Sequence, residues 1–313
     1  MLNIVDHQFK IAVIIPTYNP SLENLQQTLN GLKNQDLPLT QWQCIIVDNA
    51  STNGVIQLSD TSWHPNLKIV KEPRPGLTFG RLKGFEESSS EIVVFVDDDN
   101  ILNPDYLSTG LSLFSEHPGM GVAGGKTVGS FEAEHAEWLK EFYGLVAVRT
   151  PDIEEVITNS LSGGYPAICP IGAGMLVTAD CFRHYYQSIK NSRKVIQDRT
   201  GTNLSSGGDN EINIIALKSG FDIGYFSKLS LVHLINKGRL EIPYLKRLNY
   251  ASNRSWIKLL HAHQLCPWKP IPAFTLPFRK AKAFVRYRPW SHPANAIKYS
   301  GACGMFKGLS EII

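Results

Sequence analysis

Three consecutive aspartates, Asp97–Asp99, follow the apolar run VVFV. Like charges a few ångströms apart raise one another's pKa, so a bare triplet is costly to hold together. A divalent cation removes that cost. Hard oxygen ligands in small number suit Mg²⁺ or Mn²⁺ shared with a diphosphate, the protein giving one or two carboxylates and the substrate the rest. The same acids also fit a solvated turn in which Asp98 or Asp99 caps a helix starting near Pro104. A cap needs one acid, however, and three are present. A further carboxylate, Asp209 in GGDNEI, precedes the apolar stretch INIIALK. There it can cap a helix, with Glu211 favourably placed for the helix dipole. Asp48 closes another apolar run, CIIVD, where an ordinary turn aspartate is the alternative to a ligand contact.

The elements that must position these acids are short. IAVIIP (11–16) reads as a buried strand, and Ser21 with Leu22, Leu25, Leu29 and Leu32 as a capped amphipathic helix. CIIVD (44–48) and LKIVKEP (67–73) predict two more strands, and GLTFGRLKGFEESSS (76–90) predicts a helix carrying Arg81. EIVVFVDDDN (91–100) is the strongest strand signal and runs straight into the acids. Strands alternating with helices over the first 125 residues imply an α/β fold, a mostly parallel sheet flanked by helices on both faces. In open sheets of this kind ligands bind beyond the carboxyl ends of the strands, so Asp48 and Asp97–Asp99 should face one crevice.

After GVAGGK (121–126) the pattern loosens, and WLKEFYGL and the stretch 159–170 read as loops and short elements. IGAGMLVTADCF (171–182) joins a glycine turn to an apolar run with a helix from Asp180, and Gly220 ends the helix that follows Asp209. Residues 225–235 predict a late strand.

The chain has 313 residues and a net charge of +3, which conceals a strong asymmetry. From Pro243 onward there are 12 Lys or Arg against one acid, Glu311, a balance of +11; the rest holds 19 basic and 27 acidic residues, a balance of −8. Two parts of such different sign should meet different surfaces. Five widely spaced cysteines without a Cys-x-x-Cys pair predict reduced, buried thiols. The opening residues form neither a signal peptide nor a run of the roughly 20 apolar residues that cross a bilayer, which predicts a cytoplasmic chain.

PTYN after the first strand, VDNAST after the second, GLTFGRLKGF and FVDDDN occur in an order and spacing that resemble the nucleotide-binding half of family 2 glycosyltransferases with the GT-A fold. A lone DxD would carry little; four motifs across some 100 residues are specific. The resemblance implies an inverting transferase that moves a sugar from a nucleotide-diphosphate donor, uridine by preference, to a hydroxyl of a glycan or lipid-linked acceptor. By that resemblance Pro16, Tyr18 and Asn19 shape the base and ribose pocket, Asp48 accepts from the base imide N–H, and Arg81 lies near the nucleotide. Asp97 and Asp98 lie near the ribose or donor sugar, and Asp99 ligates Mn²⁺ or Mg²⁺. Gly172, Ala173 and Gly174 match the family's turn beneath the donor sugar, and Asp209 matches its catalytic base. The family often has Glu before that aspartate, whereas Gly208 stands here, so the role of the first acid is missing or falls to Glu211. His233 and Arg239, in LVHLINKGRL, resemble a His-then-Arg stretch in which histidine completes the metal shell or touches the diphosphate and arginine neutralises the leaving diphosphate. A satisfied structural histidine is the alternative for His233, a surface residue for Arg81, and core packing for Trp138, which otherwise lines the acceptor site.

The implied organisation is a transferase domain over 1–242, with 1–125 the nucleotide half and 126–242 the acceptor half, and a basic, aromatic-rich extension over 243–313. The Gln-x-x-Arg-Trp pattern of processive synthases is absent, which favours single-sugar addition. The extension starts helically near Tyr244 and is then punctuated by prolines. Its composition suits an anionic membrane surface at the inner face of the cell membrane, or a lipid-diphosphate acceptor. No nucleic-acid motif is present. Two other functions fit the same sheet: a sugar-nucleotide pyrophosphorylase, for which PTYNPSLEN lacks the basic glycine-rich loop, and a non-catalytic sugar-binding protein, against which the intact acids speak.

Overall fold

The computed structural model describes residues 7–191 and 207–312. Among them, nine strands form one sheet: β1 (Phe9–Thr17), β2 (Trp42–Asp48), β3 (Leu67–Lys71), β4 (Ser90–Phe95), β5 (Asn100–Leu102), β6 (Met120–Phe131), β7 (Glu155–Thr158), β8 (Met175–Thr178) and β9 (Asp222–Ile235). The α-helices are α1 (Leu22–Lys33), α2 (Leu77–Glu86), α3 (Tyr106–Glu116), α4 (Ala179–Asn191), α5 (Gly208–Lys218), α6 (Ile242–Ala262), α7 (Leu276–Tyr287) and α8 (Pro293–Leu309). The strand order is β3-β2-β1-β4-β8-β6-β9-β5, with β7 added to β9. The first four strands pair in parallel, as the βα alternation predicts. β4 with β8, β8 with β6, and β9 with both β5 and β7 pair antiparallel, a second half of the sheet that the sequence pattern does not announce.

The residues divide into two compact units. The first gathers the described residues within Met1–Ser130, Arg149–Val195 and Asp209–Leu234; the second gathers those within Phe131–Val148, Ile196–Gly208 and Ile235–Ile313. The sequence reading places its boundary at residue 242; the compact units part at Ile235, and Phe131–Val148 belongs with the C-terminal one.

In the first unit the sheet is buried on both faces. Ile11, Val13 and Ile15 of β1 pack on one side with Leu25, Leu29 and Leu32 of α1, while Ala12 and Ile14 face the other with Leu82 of α2, Phe182 of α4 and Ile212 of α5. Alternate residues of an extended strand point to opposite faces, so a run apolar at every position is what a doubly covered strand needs. Helix α2 lies directly on β1: a Cβ at Gly84 would stand 2.2 Å from Ile14 Cγ2, and one at Gly80 would stand 2.9 Å from Pro16 Cβ. Only glycine permits that approach, which brings the neighbouring Arg81 over the sheet.

The second unit is helical where the prolines suggest irregular chain. Pro277 and Pro293 occupy the first turns of α7 and α8, where a missing N–H breaks no intrahelical bond. α6 and α8 pack as a close pair. A Cβ at Gly304 would meet the backbone oxygen of Tyr250 at 2.1 Å. Leu245, Leu248 and Ile297 of this pair share a core with Leu139, Phe142 and Val146. Glu311 accepts from Arg254, Lys258 and Lys307 at 2.8–3.1 Å. Burial pushes its pKa up, but these hydrogen bonds outweigh burial and hold it at about 2. Cys44, Cys169, Cys181 and Cys303 are buried and none of the five cysteines is bridged, as the spacing predicts. No helix among the described residues is long and apolar enough to cross a membrane.

Candidate active site

The parallel strands end together. Thr17 lies beside Asp48 and Asp48 beside Lys71 in the register, and Ile14 lies beside Phe95. Loops leaving these ends therefore share one edge. One carboxylate oxygen of Asp48 accepts from the Ser51 N–H at 2.9 Å, and Asp48 is buried. Asn19, in the left-handed region at φ 48°, accepts through Oδ1 from the Thr52 N–H at 2.7 Å and the Asn53 N–H at 3.2 Å. Asparagine tolerates that backbone, and its side chain here shapes the Ser51–Asn53 loop. Buried Asn49 does the same for the next loop, donating to the carbonyls of Glu72 and Arg74 and accepting from the Gly76 N–H at 2.7 Å. Pro16 precedes these loops within β1, and Tyr18 is half exposed beside them.

The aspartate triplet forms the turn between β4 and β5. Thr17 donates its hydroxyl to Asp98. Asn100, fully buried, accepts from the Asp97 N–H at 3.3 Å and donates to Asp99 Oδ1 at 3.0 Å. Asn100 pairs with His233 in the antiparallel ladder of β5 and β9. That register sets His233 Nε2 3.3 Å from Asp99 Oδ1, and the Leu234 N–H bonds the Asp99 carbonyl at 2.8 Å. The pair picked out as metal ligands is thus brought together from distant parts of the chain.

A second group assembles around Gly172. Its N–H donates to Asp209 Oδ2 at 3.0 Å, while Asp209 Oδ1 accepts from the Asn210 N–H at 2.9 Å. A Cβ at Gly172 would lie 2.4 Å from the Arg81 guanidinium, so this backbone rests directly on Arg81. Arg81 is buried and its guanidinium stands over the Phe95 ring, 5.4 Å from the centroid. Ala173 is buried, and Gly174, at φ 73°, donates to the Phe95 carbonyl at 2.9 Å while Tyr106 donates its hydroxyl to the Gly174 carbonyl at 2.7 Å. The turn is therefore tied at one end to Asp209 and at the other to the strand that delivers Asp97–Asp99. Tyr165 donates to Asn210 Oδ1 at 2.7 Å and accepts from Asn213, and burial pushes its pKa well above the usual phenol range.

Asn100, Asn49 and Tyr165 are the supporting residues that sequence reasoning misses. Asn100 stands in the quoted FVDDDN, but its task depends on a strand pairing that no local pattern reveals. Glu211 is buried in the first turn of α5. Trp138 and Arg239 belong to the second unit. Trp138 stands edge-on to Phe142 and His292, at 6.1 and 5.4 Å between centroids, and Arg239 lies in the short turn Lys237–Leu240. A cavity of about 430 Å³ lined by Phe85, Glu86, Arg183 and Tyr186 also touches Ser90, the first residue of β4, and so opens at the strand end opposite the acids.

Among the described residues, no three His, Cys, Asp or Glu side chains converge to hold a metal ion alone. Asp99 and His233 offer two donors, one hard oxygen and one imidazole nitrogen. This incomplete set fits a cation that takes its remaining ligands from a diphosphate.

Residues 12–182 match the family described as Glycosyl transferase family 2. Glycosyltransferase AglE of Haloferax volcanii is 32% identical over 118 residues, covering 37% of this chain and 38% of that protein. Poly(ribitol-phosphate) beta-N-acetylglucosaminyltransferase TarS of Staphylococcus aureus is 32% identical over 111 residues, covering 34% of this chain and 19% of that protein. The chain thus spans well under half the length of these curated relatives. The crystal structure of S. aureus TarS 1–349 in complex with UDP-GlcNAc superposes with a TM-score of 0.56 at 16% identity, over 93% of this chain and 90% of that one, which establishes a common fold. The sequence match spans the strand-end acids, and the fold agrees across almost the whole chain: this protein belongs to glycosyl transferase family 2.

Proposed function

We propose that this chain is an inverting glycosyltransferase that moves one sugar from a nucleoside-diphosphate sugar, UDP-linked by preference, to a hydroxyl of a glycan or lipid-linked acceptor. The observation that carries this reading is the convergence at one sheet edge of Asp99 with His233 and, across the Gly172–Gly174 turn, of Asp209 with Arg81. In it, residues 1–125 hold the nucleotide and 126–242 the acceptor. Asp48, with Pro16, Tyr18 and the loop fixed by Asn19, receives the base. Asp97 and Asp98 face the ribose and donor sugar. Asp99 and His233 would hold Mn²⁺ or Mg²⁺, which when bound neutralises charge on the departing diphosphate; Arg239 is assigned to the same charge, and Trp138 and Glu211 to the acceptor side.

Asp209 acts as the base. Two backbone N–H groups orient its carboxylate, and each oxygen keeps acceptor capacity for the acceptor hydroxyl. As that oxygen attacks the anomeric carbon opposite the diphosphate, its proton passes to Asp209, the C–O bond to the diphosphate breaks, and configuration inverts. A peripheral position at the cytoplasmic face of an anionic membrane completes the reading, with the basic second unit as the contact.

UDP-GlcNAc, the ligand named in the TarS complex, is the first donor to test, followed by other UDP-sugars, each with and without Mn²⁺. Release of free UDP that depends on Mn²⁺, together with a donor-dependent rise in melting temperature, is the expected result. Binding without UDP release under any acceptor would make the chain a sugar-nucleotide-binding protein instead.

A further inference from the structure

Of the large apolar side chains that the described residues leave exposed, six lie between Trp268 and Trp290 of the second unit. Phe274 and Phe278 are 77% and 76% exposed, Val285 67% and Trp290 63%. At 3.6 residues per turn, Phe278, Ala281 and Val285 fall within an arc of about 60° on α7. The helix buries its other side: Ala283 is 5% exposed, and Phe284 reaches Tyr299 of α8 at 5.6 Å between ring centroids. Phe274 precedes the helix in a 3₁₀ turn and Trp290 follows it. The result is an apolar stripe that the described residues of its own unit leave uncovered.

The stripe is bordered by charge of one sign. Lys269, Arg279, Lys280, Lys282, Arg286 and Arg288 lie between residues 267 and 290, where the sequence has no acid. None of the six makes an ion pair among the described residues, whereas Arg254, Lys258 and Lys307 converge on Glu311 and Lys298 pairs with Glu141. A helix with an apolar face, a basic flank and no acids is the composition that lies in the plane of an anionic bilayer, rings and aliphatic chains at the acyl boundary and cations at the phosphates. A second copy of the chain fits poorly, since a two-fold contact over this stripe would set cationic flanks against each other. Single-stranded nucleic acid stacks its bases on aromatic rings, and the middle of this stripe is alanine and valine.

We propose that α7, with Phe274 and Trp290 at its ends, is the element that docks this protein on anionic phospholipid. The proposal sharpens the membrane contact in the functional reading above and rests on that part of it; it is independent of the donor chemistry. Flotation of the full chain with phosphatidylcholine vesicles, with and without phosphatidylglycerol, tests it. Wild-type protein should float with the anionic vesicles alone and detach in high salt. Phe278→Ser with Val285→Ser should weaken flotation at least about tenfold, and Arg279→Gln with Lys282→Gln and Arg286→Gln should weaken it and flatten its salt dependence. Both variants should keep wild-type UDP release in vesicle-free solution. If wild-type protein fails to float, the membrane contact itself is wrong and the donor reading stands. If the serine variant floats as well as wild type, the stripe is wrong and another part of the chain makes the contact. A wild-type dimer in size exclusion that becomes monomeric with the serine variant would assign the stripe to a second copy and overturn the proposal, as would release from vesicles by single-stranded RNA but not by salt.

Discussion

The strand-end site of the first unit and the helices of the second handle charge in opposite ways. At the strand ends, acids stand side by side and short-range donors hold them: Thr17 on Asp98, Asn100 on Asp99, the Gly172 and Asn210 N–H groups on Asp209. The backbone supplies much of that geometry, and the sheet register supplies the rest. In the second unit long cationic side chains converge on Glu311, and a row of further cations makes no ion pair among the described residues. One arrangement fixes each carboxylate with short hydrogen bonds. The other leaves charge exposed along one helix and its flanks.

Activity gives the largest expected contrast. Asp209→Asn should lower turnover by about 10²–10⁴, the range for a lost general base, and Asp99→Ala should abolish measurable transfer while the melting temperature changes little. Equal turnover by Asp99→Ala at saturating Mn²⁺ would break the assignment of that carboxylate.

Next in size is a change confined to the helices. Gly304→Ala places a methyl against the backbone oxygen of Tyr250, an obstacle that cannot rotate away. A loss of about 2–3 kcal/mol is expected, as for overpacked cores, measured by urea unfolding. Unaltered stability would mean that α6 and α8 are looser than their spacing implies.

The smallest effect separates the units by pH. His64 in the first unit is buried against Trp42 and Trp63, and its Nδ1 accepts from the Asn66 N–H at 3.0 Å. Burial lowers its pKa to about 4, and protonation would turn that acceptor into a donor facing a donor. The folded state therefore binds its proton later than the unfolded chain does, so stability falls as pH drops from about 6.5 toward 4. Between pH 7 and 5 the loss should be on the order of 1–2 kcal/mol, and His64→Phe should remove this dependence in urea titrations. Glu311, held at about 2, keeps its contribution above its unfolded value near 4.5 and loses it only as pH falls toward 2. The first unit should weaken at mildly acid pH before the second does.

Much of the nucleotide-binding half was legible because its strands carry their own signal. β1, β2 and β4 are built on the apolar runs IAVIIP, CIIV and IVVFV, which lead to Thr17, Asp48 and Asp97, and buried parallel strands require such runs. β5 and β7 have only three and four residues and exist through their pairing with β9, so no local pattern could show them. The same long-range pairing makes the Asp99 and His233 contact: the residue types were visible, their proximity was not. In the C-terminal segment the prolines read as interruptions, yet Pro277 and Pro293 stand in the first turns of helices. A sequence records that a proline is present more readily than which side of it the helix lies.

The glycines of α8 carry a consequence for how this family member could diversify. Because Gly301, Gly304 and Gly308 let α8 nest on α6, the points where the intervening chain leaves and returns are held by that pair and not by α7. The entropy of closing such a connection varies only slowly with its length. The exposed part of the span between Ala262 and Pro293 can therefore vary in length so long as Ile271 and Leu276 keep their places in the core with Ile257 and Leu309.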